Sequence, residues 1–254
     1  MSDVTVARRA LSLLDLTDLT DNCSQAAVGR LVTAAKGDAG HGPVAAVCVW
    51  PQFVRQAKEG LEGSPVRVAT VVNFPGGEQD VERVVEDTKE ALGDGADEID
   101  LVLPYKAFLA GDTAMARAMV EAVREVVPQG RLLKVILETG AYPDREAIAA
   151  ASRLAIECGA DFIKTSTGKT AVSATLAAAE AMLEAIRMSD RVVGLKPSGG
   201  IRTLADAAAY LALADRMMGA SWADVRHFRF GASGLHAALV AAIEGREEEG
   251  RAGY

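Results

Sequence analysis

Gly159-Ala160-Asp161-Phe162-Ile163-Lys164-Thr165-Ser166-Thr167-Gly168-Lys169 is the stretch on which the fold turns. Phe162 and Ile163 read as a short buried strand, Lys164 ends it, and a turn of hydroxyls and glycine leads into an alanine-rich helix over 171–187. A lysine at the end of an apolar strand sheds hydration, which moves its pKa toward the range where the neutral amine is available. A neutral amine in a pocket attacks carbonyl carbon. The competing reading is a lysine that lays its stem on apolar surface and carries its charge out to solvent.

A shorter copy of the stretch lies 64 residues earlier, Gly95-Ala96-Asp97-Glu98-Ile99-Asp100. That offset is two strand–helix units of about 32 residues. In both copies a helix ends at glycine and a strand follows at once. Candidate strands recur at 13–16, 44–49, 66–72, 98–103, 132–137, 161–165, 192–196 and 227–230. They barely alternate in polarity, as strands buried on both faces of a parallel sheet do. Between them, 80–92 and 113–126 place apolar residues at three- and four-residue steps with charges opposite.

Eight strands with a helix after most of them, in 254 residues, match a single-domain α/β TIM (β/α)8 barrel. A doubly wound open sheet would want a glycine-rich fingerprint after its first strand, and none follows 13–16 or 44–49. Alternate strands of a barrel share an interior layer, so Asp100 and Lys164 are expected in one layer. The barrel is expected to span 1–243, with a mobile charged tail over 244–254.

Composition narrows the function. A net charge of −8 and a pI near 5.0 disfavour nucleic-acid or membrane-surface partners. No apolar run reaches bilayer length, and the N-terminus lacks a signal-peptide pattern, so a soluble cytoplasmic protein is expected. Cys23, Cys48 and Cys158 are too scattered for a disulfide framework, and Cys48 reads as inert and buried. His41, His227 and His236 lack ligand spacing, so no metal or other cofactor is expected. A homodimer through the outer helices is the default assembly.

Charges inside apolar strands are the anomalies: Asp15, Asp100, Lys134, Glu138, Lys164 and Lys196. Lys134 and Glu138 share parity on one strand, open to an ion-pair or a catalytic reading. Lys164 and Lys196 end neighbouring strands, where each ammonium is expected to depress the other's pKa. With Asp100 they make an amine nucleophile, a neighbouring cation and a proton-transfer carboxylate. Gly199 and Gly200, with Ser198 and Arg202, follow strand 7; Gly231, Ser233 and Gly234 follow strand 8. TIM barrels often hold phosphate in those two loops, with helix N-termini pointing at it. Thr167, Gly168 and Lys169 after strand 6 add a hydroxyl and a charge.

These motifs, with Asp15-Leu16-Thr17, Asn73-Phe74-Pro75, Pro104-Tyr105, Glu138-Thr139-Gly140 and Arg229-Phe230-Gly231-Ala232-Ser233, resemble the deoxyribose-phosphate aldolases, most closely the longer bacterial type. The resemblance runs from about Leu13 to Tyr254. It implies reversible cleavage of 2-deoxy-D-ribose 5-phosphate to acetaldehyde and D-glyceraldehyde 3-phosphate. It makes Lys164 the Schiff-base lysine, Asp100 (with a water) the proton acceptor, and Lys196 the partner that lowers the Lys164 pKa. It assigns Asp15 and Thr17 with the loop residues Thr167, Gly168, Lys169, Gly199, Gly200, Arg202, Gly231 and Ser233 to the phosphorylated sugar, and gives Tyr254 a part in proton transfer. One departure is Ser233-Gly234, where the family usually has two serines. A phosphosugar isomerase or synthase with Glu138 as base, and a non-catalytic sensor of a phosphorylated ligand, are the competing functions.

Overall fold

Short apolar strands alternate with amphipathic helices throughout. The computed structural model describes residues 2–246, so Tyr254 and the expected tail from residue 247 onward lie outside the described residues. The order is α1 (Asp3–Ser12), β1 (Leu14–Asp18), α2 (Gln25–Ala35), β2 (Ala46–Val49), α3 (Val54–Gly60), β3 (Arg67–Val72), α4 (Val81–Gly93), β4 (Glu98–Val102), α5 (Tyr105–Leu109), α6 (Thr113–Val126), β5 (Leu132–Ile136), α7 (Arg145–Glu157), β6 (Phe162–Lys164), α8 (Leu176–Arg187), β7 (Gly194–Lys196), α9 (Leu204–Met218), β8 (Phe230–Ala232) and α10 (Leu235–Ile243). Neighbouring strands pair in parallel in the order β7-β6-β5-β4-β3-β2-β1-β8. Arg229 N–H to Leu195 O (3.0 Å) and Gly231 N–H to Pro197 O (2.9 Å) join the last strand back to β7. The fold is the expected TIM barrel.

The outer face of the sheet is a hydrocarbon shell. Val47, Leu101, Val135, Ile163 and Leu195 have no exposed surface, and helix stripes such as Met119, Val120 and Val123 of α6 belong to the same cluster. Each such side chain contributes about 1.5–3 kcal/mol by leaving water. α1 adds a helix before the first strand and is tied down by Arg9, whose two nitrogens each donate to Asp215 of α9 at 2.7 Å. Among the described residues no helix is long and apolar enough to cross a membrane.

Most expected strands end within two residues of the observed ones; two segments differ more. The helix expected from residue 171 starts at Leu176, because Thr175 caps it by accepting from Ala178 N–H at 3.1 Å. The last strand is Phe230–Ala232, later than expected. Asp224 holds the preceding residues in a turn: its carbonyl accepts from His227 and Phe228 N–H (3.0 and 2.8 Å), its carboxylate from Arg226 N–H (2.8 Å).

Candidate active site

Strand register determines which side chains meet inside the barrel. Asp100 pairs with Lys134 on β5, and Lys134 with Phe162 on β6. Barrels of this kind stagger by about one residue per strand, so the β6 residue level with Asp100 is Lys164, not Phe162. The same stagger carried around the pairings stacks three interior layers. The top one holds Cys48, Asp100, Lys164 and Gly231; below it lie Asp15, Ala69, Lys134 and Lys196, then Ala46, Glu98, Phe162 and Arg229. The expected shared layer is therefore met: Lys164 Nζ donates to Asp100 Oδ2 at 2.8 Å. Gly231 keeps the top layer open on the β8 side, because a Cβ there would lie 3.0 Å from Lys196 Cε and 2.6 Å from Ser198 Oγ.

Hydrocarbon usually fills such layers. Here they hold an ion ladder. Lys134 Nζ lies 2.7 Å from both Glu98 and Asp100 and 3.8 Å from Asp15. Lys196 Nζ lies 2.5 Å from Asp15 and 2.8 Å from Asp100. Arg229 spans Asp15 (2.7 Å) and Glu98 (3.1 Å) and stacks 5.7 Å from the Phe162 ring. Lys164 reaches one carboxylate among the described residues, Asp100, and shares it with both other lysines. All seven groups are at most 3 % exposed. Four cations thus face three carboxylates, and burying an ion without full compensation costs several kcal/mol (about that order).

The imbalance falls on Lys164. Burial lowers its pKa, Asp100 raises it, Lys196 lowers it again, and the net shift is downward. Burial pushes Lys196 down as well, but Asp100 and Asp15 outweigh it and hold that ammonium above its ordinary value. The expected mutual depression thus holds for Lys164 and fails for Lys196, which reaches two carboxylates, Asp15 and Asp100, where Lys164 reaches one. Asp100, despite burial, is held well below the usual carboxylate range by Lys134, Lys164 and Lys196. Asp15 is lowered similarly, burial being outweighed by Lys196, Arg229 and Lys134. Burial pushes the Cys48 thiol up, in keeping with an inert cysteine. A lysine that gives up its proton most readily, beside a carboxylate and a lasting ammonium, can attack a carbonyl and pass protons.

A profile of DeoC/LacD family aldolases matches residues 1–235. The chain belongs to that family. It is 50 % identical over 242 residues to a deoxyribose-phosphate aldolase of Agrobacterium fabrum, covering 95 % of this chain and 93 % of that one. Among solved structures, the apo form of a provisionally assigned deoxyribose-phosphate aldolase from Toxoplasma gondii ME49 superposes with a TM-score of 0.87 at 28 % identity, covering 96 % of this chain and 99 % of that one. The tetrameric deoxyribose phosphate aldolase of Aeropyrum pernix, at 21 % identity, shares the fold (TM-score 0.75; 96 % of this chain, 92 % of that one).

In this DeoC/LacD aldolase the loop residues singled out from sequence surround the strand ends. Gly168 and Gly199 back onto each other, since a Cβ on Gly199 would sit 3.2 Å from Gly168 Cα; both, like Gly200, have positive φ. Lys169 Nζ reaches Asp21, in the loop after β1, at 3.3 Å. Ser233 and Arg202 are exposed, and among the described residues neither side chain hydrogen-bonds to the ladder. Gly234 caps α10 without a side-chain bond, leaving its first N–H groups open.

Four of the residues singled out from sequence have partners within the protein. Asp15 lies in the middle layer between Lys196 and Arg229, fully buried, and Thr17 donates its hydroxyl to the Asp15 carbonyl at 2.8 Å. The Thr167 hydroxyl donates to Glu138, so it is committed within the protein. Lys134 joins the ladder but Glu138 does not, because β5 ends at Ile136 and parity stops applying. Glu98 and Arg229 complete the ladder, although neither stands out as an anomaly in the sequence. Parity is what marks them: Glu98 shares it with Asp100 on β4, and Arg229, the residue before β8, shares it with Gly231.

Proposed function

We propose that this chain is a class I aldolase that reversibly cleaves 2-deoxy-D-ribose 5-phosphate to acetaldehyde and D-glyceraldehyde 3-phosphate through a Schiff base on Lys164. The observation that carries the reading is the charge count in the barrel. Among the described residues Lys164 is the buried cation with a single, shared carboxylate, and losing its proton leaves three buried cations facing three buried carboxylates. The neutral amine attacks C1 of the open-chain sugar, and loss of water leaves an iminium. As the 3-hydroxyl gives up its proton, the C2–C3 bond breaks and its electrons flow into the iminium, releasing glyceraldehyde 3-phosphate. The enamine is then protonated at C2, and water hydrolyses it to acetaldehyde and free Lys164.

Asp100, through a water, takes the 3-hydroxyl proton. Its depressed pKa makes it a relay, not a store: Lys196, 2.8 Å from the same oxygen, passes protons on while keeping its own charge. The nitrogen of Lys164 alternates between neutral (amine, enamine) and cationic (iminium), while Lys134 and Lys196 keep Asp100 paired through the cycle. The sugar phosphate is held by Gly168, Lys169, Gly199, Gly200, Arg202, Gly231 and Ser233, with the open N-terminus of α10 facing the anion. Asp15 pairs with Lys196 from within the same layer, and the Thr17 hydroxyl donates to the Asp15 carbonyl. Tyr254 keeps the assisting part that the family resemblance implies. The working setting is the cytoplasm, as a homodimer or higher assembly of the kind the Aeropyrum pernix relative forms.

The isomerase reading loses its base, since Glu138 is fully buried and its Oε2 is held by the Thr167 N–H and hydroxyl. Feeding 2-deoxyribose 5-phosphate and measuring acetaldehyde release tests the reading. Stoichiometric acetaldehyde is the expected result. Its absence, with the sugar phosphate bound or isomerised, would overturn it.

A further inference from the structure

Glu138 is a fully buried carboxylate that the proposed chemistry does not use. It stands two residues past β5, at φ 60° and ψ 58°, a left-handed conformation that non-glycine residues seldom adopt. Such a backbone costs about 1–3 kcal/mol and persists where its surroundings over-determine it. The surroundings here are the loop after β6. Thr139 N–H donates to Thr165 O (2.8 Å), and the β6–α8 loop lies so close that a Cβ on Gly140 would meet Val172 O at 2.1 Å.

The side chain engages the same loop with both oxygens. Oε2 accepts from Thr167 N–H (3.3 Å) and from the Thr167 hydroxyl; Oε1 lies 3.2 Å from the Thr170 hydroxyl, whose one proton it shares with Val172 O (3.0 Å), in the same loop. Thr167 Oγ1 in turn accepts from Lys169 N–H at 3.0 Å. The carboxylate therefore grips the loop on both sides of Gly168-Lys169, and Gly168 takes the crest at φ 80°. Every partner is a donor, so an ionised carboxylate satisfies the set and an amide, with one end a donor, does not.

We propose that Glu138 is a positioning residue for phosphate recognition: it clamps residues 167–170 so that Gly168 and Lys169 are presented as a preformed rim for the sugar phosphate. The inference rests on the reading of that rim as the phosphate site. Glu138 touches no reacting atom; it acts through the loop, and preordering the loop spares the substrate the entropic cost of ordering it.

Steady-state kinetics of the wild type, Glu138→Gln, Thr170→Val and the double variant, on 2-deoxyribose 5-phosphate and on 2-deoxyribose, test this. In Glu138→Gln the KM for the phosphorylated sugar should rise about tenfold or more, the worth of a charge-assisted hydrogen bond, with a far smaller change in kcat. The preference for phosphorylated over unphosphorylated sugar should fall by the same factor. Thr170→Val should give a smaller shift of the same kind, and the double variant should be no worse than Glu138→Gln, because both cut one clamp. If Glu138→Gln fails to fold, Glu138→Gly, which accepts the left-handed backbone, and Thr170→Val carry the same test. Equal losses on both substrates, or a fall in kcat with KM unmoved, would overturn the clamp. A wild type with no preference for the phosphorylated sugar would overturn the phosphate reading itself.

Discussion

Residues 95–100 and 159–164 begin alike and end with opposite charges. Gly95 and Gly159 take φ 105° and 103°, and the next residue closes the helix end in both: Ala96 N–H to Ala91 O at 3.0 Å, Ala160 N–H to Ala155 O at 3.1 Å. The third residue is a shared strut. Asp97 Oδ2 accepts from Val68 N–H (3.0 Å) and Asp161 Oδ2 from Leu133 N–H (2.8 Å), each on the preceding strand. Each strut is tied to basic side chains, Asp97 to Lys58 and Arg131, Asp161 to Arg124. Three residues on, Asp100 and Lys164 meet across the barrel at 2.8 Å. One end of the repeat builds the barrel and the other carries its chemistry, so substitutions at the two ends should separate stability from turnover.

The largest effect belongs to the chemical end. Lys164→Ala should lower turnover on the order of a thousandfold or more while far-UV circular dichroism stays native. The remaining ladder is charge-balanced, so no buried ion is left without a partner. Near-wild-type activity in that variant would break the division between the two ends.

A pH series sharpens it. The folded pKa of Lys164 lies below its ordinary 10.5, so between the two values the folded chain binds fewer protons than the unfolded one. This group's contribution to stability therefore rises with pH across that window, and kcat/KM should climb through the lowered pKa as the amine loses its proton. Activity that falls across the same window would contradict the assignment.

At the scaffold end, Asp161→Asn and Asp97→Asn should each destabilise the fold by about 1–3 kcal/mol in chemical denaturation, through a lost charge-assisted bond to backbone. The kcat measured well below the melting temperature should stay close to wild type. Smaller still is Gly159→Ala, expected to cost about 1–2 kcal/mol for a side chain held at positive φ. The nearest atoms to the added Cβ are in the stem of Arg124, with Cγ and Cδ at 2.8 Å, which can shift.

Much of this was legible in the chain itself. Strand spacing gave the barrel, and the offset repeat paired Asp100 with Lys164. Pairing beyond the repeat was not legible, because Lys134, Glu98 and Arg229 meet through stagger between strands, which no local pattern encodes. The start of β8 was masked by Asp224, whose turn captures Phe228 N–H although that segment is apolar enough for a strand. Thr167 looked like a free hydroxyl because its partner, Glu138, is 29 residues away and held on a left-handed backbone. Which lysine would lose its proton also lay beyond the sequence, since that depends on how many carboxylates each one reaches.

The most direct test is borohydride reduction in the presence of 2-deoxyribose 5-phosphate, followed by peptide mass mapping. The account predicts one reduced adduct, on Lys164. An adduct on Lys196 instead would contradict it, because the better-paired ammonium would then be the nucleophile.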